Sequence, residues 1–190
     1  MPIMLHGSPV DANRTLDHIA VTGRFQPIHL DHLALLRHAF EIARQVFIGI
    51  TNPEPGVRTA HPASAHRHLA SANPWTYVER RTLIDAALRS EGVEPSRYTI
   101  VPFPLDEPAR WPELLPRGTP QLVRVFSDWE REKVRRFAAA GYPPKVLEGD
   151  PATRLSASDI RCAMRNEEPW QHWVPPGPRE LLAEWAQSTP

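Results

Sequence analysis

At 190 residues the chain is long enough to bury one good core. Lys plus Arg and Asp plus Glu each number 22, so no global basic field exists to coat a nucleic acid, and any anion site must be local. One cysteine, Cys162, excludes an internal disulfide and a cysteine-based zinc cluster and fits a reducing cytoplasm; no apolar run reaches the ~18 residues that a membrane helix needs.

Residues 1–16 carry little pattern and read as a loose arm before a single domain. They lack a basic segment followed by a long apolar one, so they are not read as a signal peptide. The run His18-Ile19-Ala20-Val21-Thr22 predicts a buried strand over 17–22. A helix is predicted over 31–44, with Leu33, Leu36, Phe40 and Ala43 on one face. Between them lies Gly23-Arg24-Phe25-Gln26-Pro27-Ile28-His29-Leu30-Asp31-His32, a strand-to-helix turn with two histidines where the helix begins. A helix N-terminus offers unpaired N–H groups and positive dipole density, which suits a phosphate.

The second strand, Val46-Phe47-Ile48-Gly49-Ile50, is continuously apolar, as parallel strands buried on both faces are. Residues 51–72 form a long loop rich in Pro, Ala and His; His61, His66 and His68 in it are read as loop residues, since no carboxylate joins them at helical spacing. Asn73 is a natural N-cap and Pro74 a natural first residue for a helix running to about Arg89 and burying Val78, Leu83, Ile84, Ala87 and Leu88.

Strands follow at Tyr98–Val101, at Leu122–Phe126 and near Lys145–Leu147, with a proline-punctuated segment before the second of these. A helix is predicted from about Glu130 to Ala140, closed by Gly141. Its Lys133, Arg135 and Arg136 read as a solvated face, from which one cation reaches a ligand. Ser156 with Asp159 forms a capping-box variant opening a helix at about 157–165, and a last amphipathic helix from about Pro178 carries Leu181, Leu182 and Trp185. Cys162 on the former reads as a packed thiol.

Alternating strands and helices imply right-handed crossovers and an α/β fold: a doubly wound, Rossmann-like parallel sheet of about five strands with C-terminal helices. Ligands bind such sheets at the carboxyl ends of the strands. The turn after the first strand and the Ser156 turn both fall there.

The residues from Gly23 to His32 resemble the HxGH signature of the nucleotidyltransferase superfamily, and are most similar to archaeal-type nicotinamide-nucleotide adenylyltransferases. Asn73-Pro74-Trp75-Thr76 with Glu79-Arg80 resembles their NPFT…ER segment, and Ser156-Ala157-Ser158-Asp159-Ile160-Arg161 their second signature. The resemblance runs from about residue 17 to 186. It implies transfer of a nucleotidyl group from a nucleoside triphosphate to a phosphate-type oxygen, with loss of pyrophosphate. It also implies roles for particular residues. His29 and His32 contact the triphosphate and the transition state, and Ser156, Ser158 and Arg161 hold its outer phosphates. Gly23, Arg24, Phe25 and Asp31 belong to the nucleotide site. Asp106, Arg110 and Trp111 belong to the acceptor site, where Trp111 falls at the tryptophan that stacks on nicotinamide; beside prolines, it reads equally as a packing residue. Mg²⁺ is expected to be held by phosphates and water, with no protein metal site.

The chain departs from that family in two places. Glycine between the histidines is replaced by Asp31, which reads either as a helix N-cap or as a contact to ribose, base or Mg²⁺. Between Asp106 and Trp111 stand Glu107, Pro108, Ala109 and Arg110, and Arg110 suits a small, strongly anionic acceptor. A subset of the superfamily uses CTP to activate phosphonic acids, one member acting on phosphonoformate. The expectation is therefore CTP with a small phosphonate acid, against an ATP-dependent nicotinamide-nucleotide adenylyltransferase and, from another class, a catalytically silent nucleotide sensor. A class I aminoacyl-tRNA synthetase is rejected: the chain is short and has neither a KMSKS-like segment nor a basic surplus. The remaining expectations are a cytoplasmic protein, no nucleic-acid or membrane partner, and a possible homo-oligomer by likeness to relatives.

Overall fold

A computed structural model describes residues 15–53 and 69–188. Most of the N-terminal arm and the middle of the long loop, with His61, His66 and His68, lie outside them.

Five parallel strands build one sheet: β1 (Leu16–Gly23), β2 (Ala43–Thr51), β3 (Tyr98–Phe103), β4 (Gln121–Val125) and β5 (Pro144–Glu148). Their spatial order is β3-β2-β1-β4-β5. The chain works outward from β1 to one edge and returns to β1's other side, so the order reverses between β1 and β4 and a crevice opens there. The described residues also form six α-helices: α1 (Leu30–Ile42), α2 (Tyr77–Ser90), a single turn α3 (Trp111–Leu114) and α4 (Asp128–Ala139) between strands, then α5 (Ala157–Arg165) and α6 (Arg179–Ser188) after β5. They bury apolar side chains on both sheet faces. One cluster joins Leu36, Leu83, Ile84, Ile160 and Leu182 to Ile19, Val21 and Ile48; the other joins Phe103, Trp111, Phe137 and Tyr142 to Ala20 and Val123. The predicted doubly wound sheet of five strands is the observed one. No described helix is long and apolar enough to cross a membrane.

Local differences have physical reasons. The helix before β3 opens at Thr76, not Asn73, because Thr76 and Glu79 form a reciprocal capping box that satisfies two helix-end donors at once. Asn73 instead donates to the Leu69 carbonyl. Val78, expected in the core, is 68% exposed on this later-starting helix. At α5, Ser156 caps the helix by accepting from the Ser158 N–H, a simple N-cap bond in place of the expected box, and the Asp159 side chain takes no part in it. Gly141 adopts φ +80° just beyond α4, a left-handed closure that a side chain disfavours.

Arg80 on α2 is 1% exposed and spends its guanidinium on backbone. It donates to the carbonyls of Arg24 (2.9 Å), Thr51 (2.8 Å), Asn52 (2.8 Å) and Thr76 (3.2 Å). These groups lie where β1 and β2 end, so α2 holds the carboxyl edge of the sheet by a planar fork that no other side chain supplies. Arg80→Met removes the donors and leaves buried carbonyls unmet. Urea denaturation should show a loss of about 3 kcal/mol or more, with Arg80→Lys in between.

Candidate active site

The crevice between β1 and β4 is a cleft of ≈ 150 Å³. Its walls come from the β1–α1 turn, the β4–α4 turn and the loop before α5. Gly23, Arg24, Phe25, His29, Asp31, His32, Ser156 and Ser158 all line it, so both halves of the sequence signature meet at one place.

The β1–α1 turn is packed from beneath. Phe25 sits at φ +51° with its ring folded under Gly23, where a Cβ would lie 3.2 Å from the Phe25 ring. The same ring packs against His32 at a centroid distance of 4.7 Å. His29 and His32 stack on each other at 3.7 Å. Their Nδ1 atoms are buried and have no hydrogen-bond partner among the described residues, a costly state that a ligand oxygen would relieve. Burial holds His29 down at about 3, with help from Arg154. His32 is also held well below its ordinary value, first by burial and then by the charges of His29, Lys133, Arg24 and Arg154. Both rings are therefore neutral at physiological pH and each carries one N–H. His29 occupies the N-cap position of α1 without capping it by its side chain. The cap thus leaves first-turn N–H groups at the cleft.

Asp31 resolves one of its two readings. It caps no helix. Its Oδ2 accepts from the Leu155 N–H at 2.9 Å, tying the first turn to the second directly in front of Ser156.

Arg161 lies behind the turn. It is buried, donates to the Gln26 carbonyl at 2.6 Å and the Ser158 hydroxyl at 3.0 Å, and is not among the cleft-lining residues. Two of its guanidinium nitrogens brace the two turns, while its buried Nε has no hydrogen-bond partner among the described residues. Gln26 is gripped from the other side as well: its side chain exchanges hydrogen bonds with Trp75, donating at 2.8 Å and accepting at 3.1 Å.

The acceptor trio is elsewhere. Trp111 is fully buried (0% exposed), stacked on Phe103 at 5.1 Å and edge-on to Tyr142 at 5.6 Å, with its indole N–H donating to the Pro104 carbonyl at 2.9 Å. Of its two readings the structure gives it packing, since no ring face is open to stack on a ligand. Asp106 pairs with Arg136 at 2.6 Å and Arg110 with Glu107 at 3.3 Å, both outside the cleft.

Several lining residues figure in the sequence reading only as part of a charged run, from which one cation reaches a ligand, or not at all. Lys133, expected on a solvated face, is 8% exposed and donates to the Thr22 carbonyl. Arg154 lies over Phe126 at 5.1 Å and donates to Glu130 at 3.2 Å, which also accepts from the Ser127 hydroxyl at 2.6 Å. Arg124 and Trp129 complete the β4 side. The signal available for Lys133 was its place at i+3 from Glu130 and i−4 from Phe137, the buried stripe of α4.

Comparisons with known proteins agree with this geometry. Residues 20–163 match the family described as Cytidylyltransferase-like. The chain is 35% identical to the phosphonoformate cytidylyltransferase of Streptomyces viridochromogenes over 164 residues, covering 86% of this chain and 89% of that one. It is 31% identical to the nicotinamide-nucleotide adenylyltransferase of Thermococcus onnurineus, covering 85% and 80%. Its fold matches a bifunctional NMN adenylyltransferase/ADP ribose pyrophosphatase of Francisella tularensis, solved with AMP and a manganese ion (TM-score 0.66, 18% identity). That match covers 90% of this chain but only 49% of the other. A cleft of two helix N-termini, paired histidines and a serine turn at the sheet's switch point belongs to a nucleotidyltransferase. The chain is a member of the cytidylyltransferase-like family.

Two predictions follow from the site itself. In the unfolded chain both histidines titrate near their ordinary value of about 6.5, whereas in the fold they stay neutral far below it. The unfolded state therefore binds the extra protons first, and stability falls as pH drops below about 6.5, by up to ~1.4 kcal/mol per pH unit for each ring. Thermal melting of the ligand-free protein should show this slope, and His29→Gln/His32→Gln should flatten it. Asp31→Ala should cost about 1–2 kcal/mol of stability, and Asp31→Asn, which keeps an acceptor for the Leu155 N–H, should recover most of it in the same melts.

Proposed function

We propose that this nucleotidyltransferase takes CTP and a small phosphonate or phosphate acid, joining them through a new P–O–P link and releasing pyrophosphate. The observation that carries this choice is the burial of Trp111, which takes the ring expected to stack on nicotinamide out of a ligand's reach. The relative at 35% identity, which is named for its action on phosphonoformate, supports the same choice.

The chemistry needs alignment more than proton transfer. A phosphonate or phosphomonoester oxygen is already ionised at neutral pH, so it attacks the α-phosphorus without a general base. One P–O bond forms, the bond from the α-phosphorus to the bridging oxygen breaks, and its electron pair leaves with pyrophosphate. Neutral His29 and His32 supply N–H donors to oxygens on which charge grows, and the N-terminus of α5 with Ser156 and Ser158 receives the outer phosphates. Arg24 and Arg154 add positive charge at the rim.

A divalent cation fits this cleft as a guest of the triphosphate. Its two carboxylates, Asp31 and Glu130, are already hydrogen-bonded, and no group of three metal-ligating side chains occurs among the described residues. Mg²⁺ would be held chiefly through the triphosphate and water, and would supply positive charge to the leaving group.

The test is incubation with each common ribonucleoside triphosphate plus either phosphonoformate or nicotinamide mononucleotide, read as pyrophosphate released and by phosphorus NMR of the product. Turnover with CTP and phosphonoformate is expected, falling ~10²–10³-fold in His29→Ala or His32→Ala. NAD made from ATP at an ordinary enzymatic rate would overturn the substrate choice. Nucleotide binding without turnover on any pair would favour the sensor.

A further inference from the structure

α4 buries three residues in one stripe: Glu130, Lys133 and Phe137. Such a stripe normally seats apolar side chains, and a charge placed there costs stability that a leucine would not. Lys133 is nonetheless nine-tenths buried, with its alkyl stem and ammonium near the Phe137 ring (5.7 Å) and its head on the Thr22 carbonyl. Thr22 is the next-to-last residue of β1, so the ammonium stands at the switch point itself, beside the histidine pair. The positive charges that line the cleft then come from four separate elements: Arg24 on the first turn, Arg124 on β4, Arg154 on the second turn and Lys133 on α4. Arg24 and Arg154 sit in loops, while Lys133 is fixed by a helix packed on the sheet.

We propose that Lys133 is a catalytic residue, a phosphate ligand at the reaction centre that donates to the α-phosphoryl oxygens as the transferred group passes from pyrophosphate to the acceptor. Before substrate enters, the Thr22 carbonyl holds the ammonium in place. When a polyphosphate fills the cleft, the ammonium donates to its oxygens, and the charge that grows at the transferring phosphorus meets a cation already desolvated and placed. No proton is exchanged: the lysine stays an ammonium throughout. The inference rests on the nucleotidyl-transfer reading of this cleft but not on the choice of CTP.

The test compares wild type with Lys133→Gln and Lys133→Arg. Glutamine keeps an N–H donor for the Thr22 carbonyl and removes the charge; arginine keeps the charge. Binding of inorganic tripolyphosphate is measured by calorimetry, and turnover with whichever triphosphate and acceptor prove competent. Lys133→Gln should bind tripolyphosphate about tenfold or more weakly and lose ~10²-fold in kcat, with Lys133→Arg recovering most of both. A kcat unchanged in Lys133→Gln, or lost equally in the arginine variant, overturns the proposal. Because tripolyphosphate carries no base, a correct Lys133 and a wrong nucleotide give a clear pattern: weakened tripolyphosphate binding in the glutamine variant with no CTP turnover in wild type. Should the glutamine variant fail to fold, a wild-type co-crystal with tripolyphosphate decides. An Nζ within hydrogen-bond distance of a phosphate oxygen supports the assignment, and an Nζ left only on Thr22, out of reach of every phosphate, ends it.

Discussion

The site depends on how a buried, irregular turn satisfies its own backbone. Between β1 and α1 the chain makes neither sheet nor helix bonds, yet Phe25, Gln26, Pro27 and Ile28 are all buried. Two guanidiniums resolve this. Arg80 from α2 reaches the Arg24 carbonyl, and Arg161 from α5 reaches the Gln26 carbonyl. The Gln26 side chain closes the gap to Trp75, and Asp31 takes the Leu155 N–H. The turn is thus clamped from both sides by elements far away in sequence. A buried carbonyl without a donor costs ~1–3 kcal/mol, so these are strong constraints on where the turn can lie.

That clamp explains why the histidines are stacked and neutral. The turn's fixed path buries two rings in one small space over Phe25, which is the first reason they stay neutral, and protonating both would also bring like charges to 3.7 Å. Neutral rings suit the reaction. A phosphate-type nucleophile has no proton to give up, so nothing is gained from a base tuned to neutral pH. What helps is a set of donors that need not reorganise while charge moves, and a rigid turn supplies this.

The sequence carried the fold in its strands, because parallel strands buried on both faces are continuous apolar runs and little else competes for that reading. The cleft's two turns were legible for the same local reason: strand, glycine, histidine and helix follow one another without a break. What was hidden was long-range. Lys133 lies in a run of charges that looks solvated until α4 is rotated against the sheet. Arg80 resembles any helical arginine until the ends of β1 and β2 arrive beside it. Asn73-Pro74 is a plausible helix start on local chemistry, and only the reciprocal bond between Thr76 and Glu79 moves the start three residues on. Arg161 resembles a phosphate ligand in sequence because its motif begins a helix; only in space do two of its nitrogens prove to brace Gln26 and Ser158 as well.

Asp31 is where the chain's logic differs from the signature it resembles. A glycine between the two histidines lets a ligand approach the backbone but holds nothing. An aspartate gives up that approach and, through one hydrogen bond to Leu155, ties the two cleft-lining turns to each other before any ligand arrives. The cost is a negative charge in a cleft built for anions. It is offset locally, because Arg24, Lys133 and Arg154 line the same walls. Preorganising both turns lowers the ordering cost of binding, which matters most for a small acceptor that brings little binding energy of its own. A large acceptor could close the turns by its own contacts; a small acid cannot, and a chain that serves one gains from having the two turns already joined.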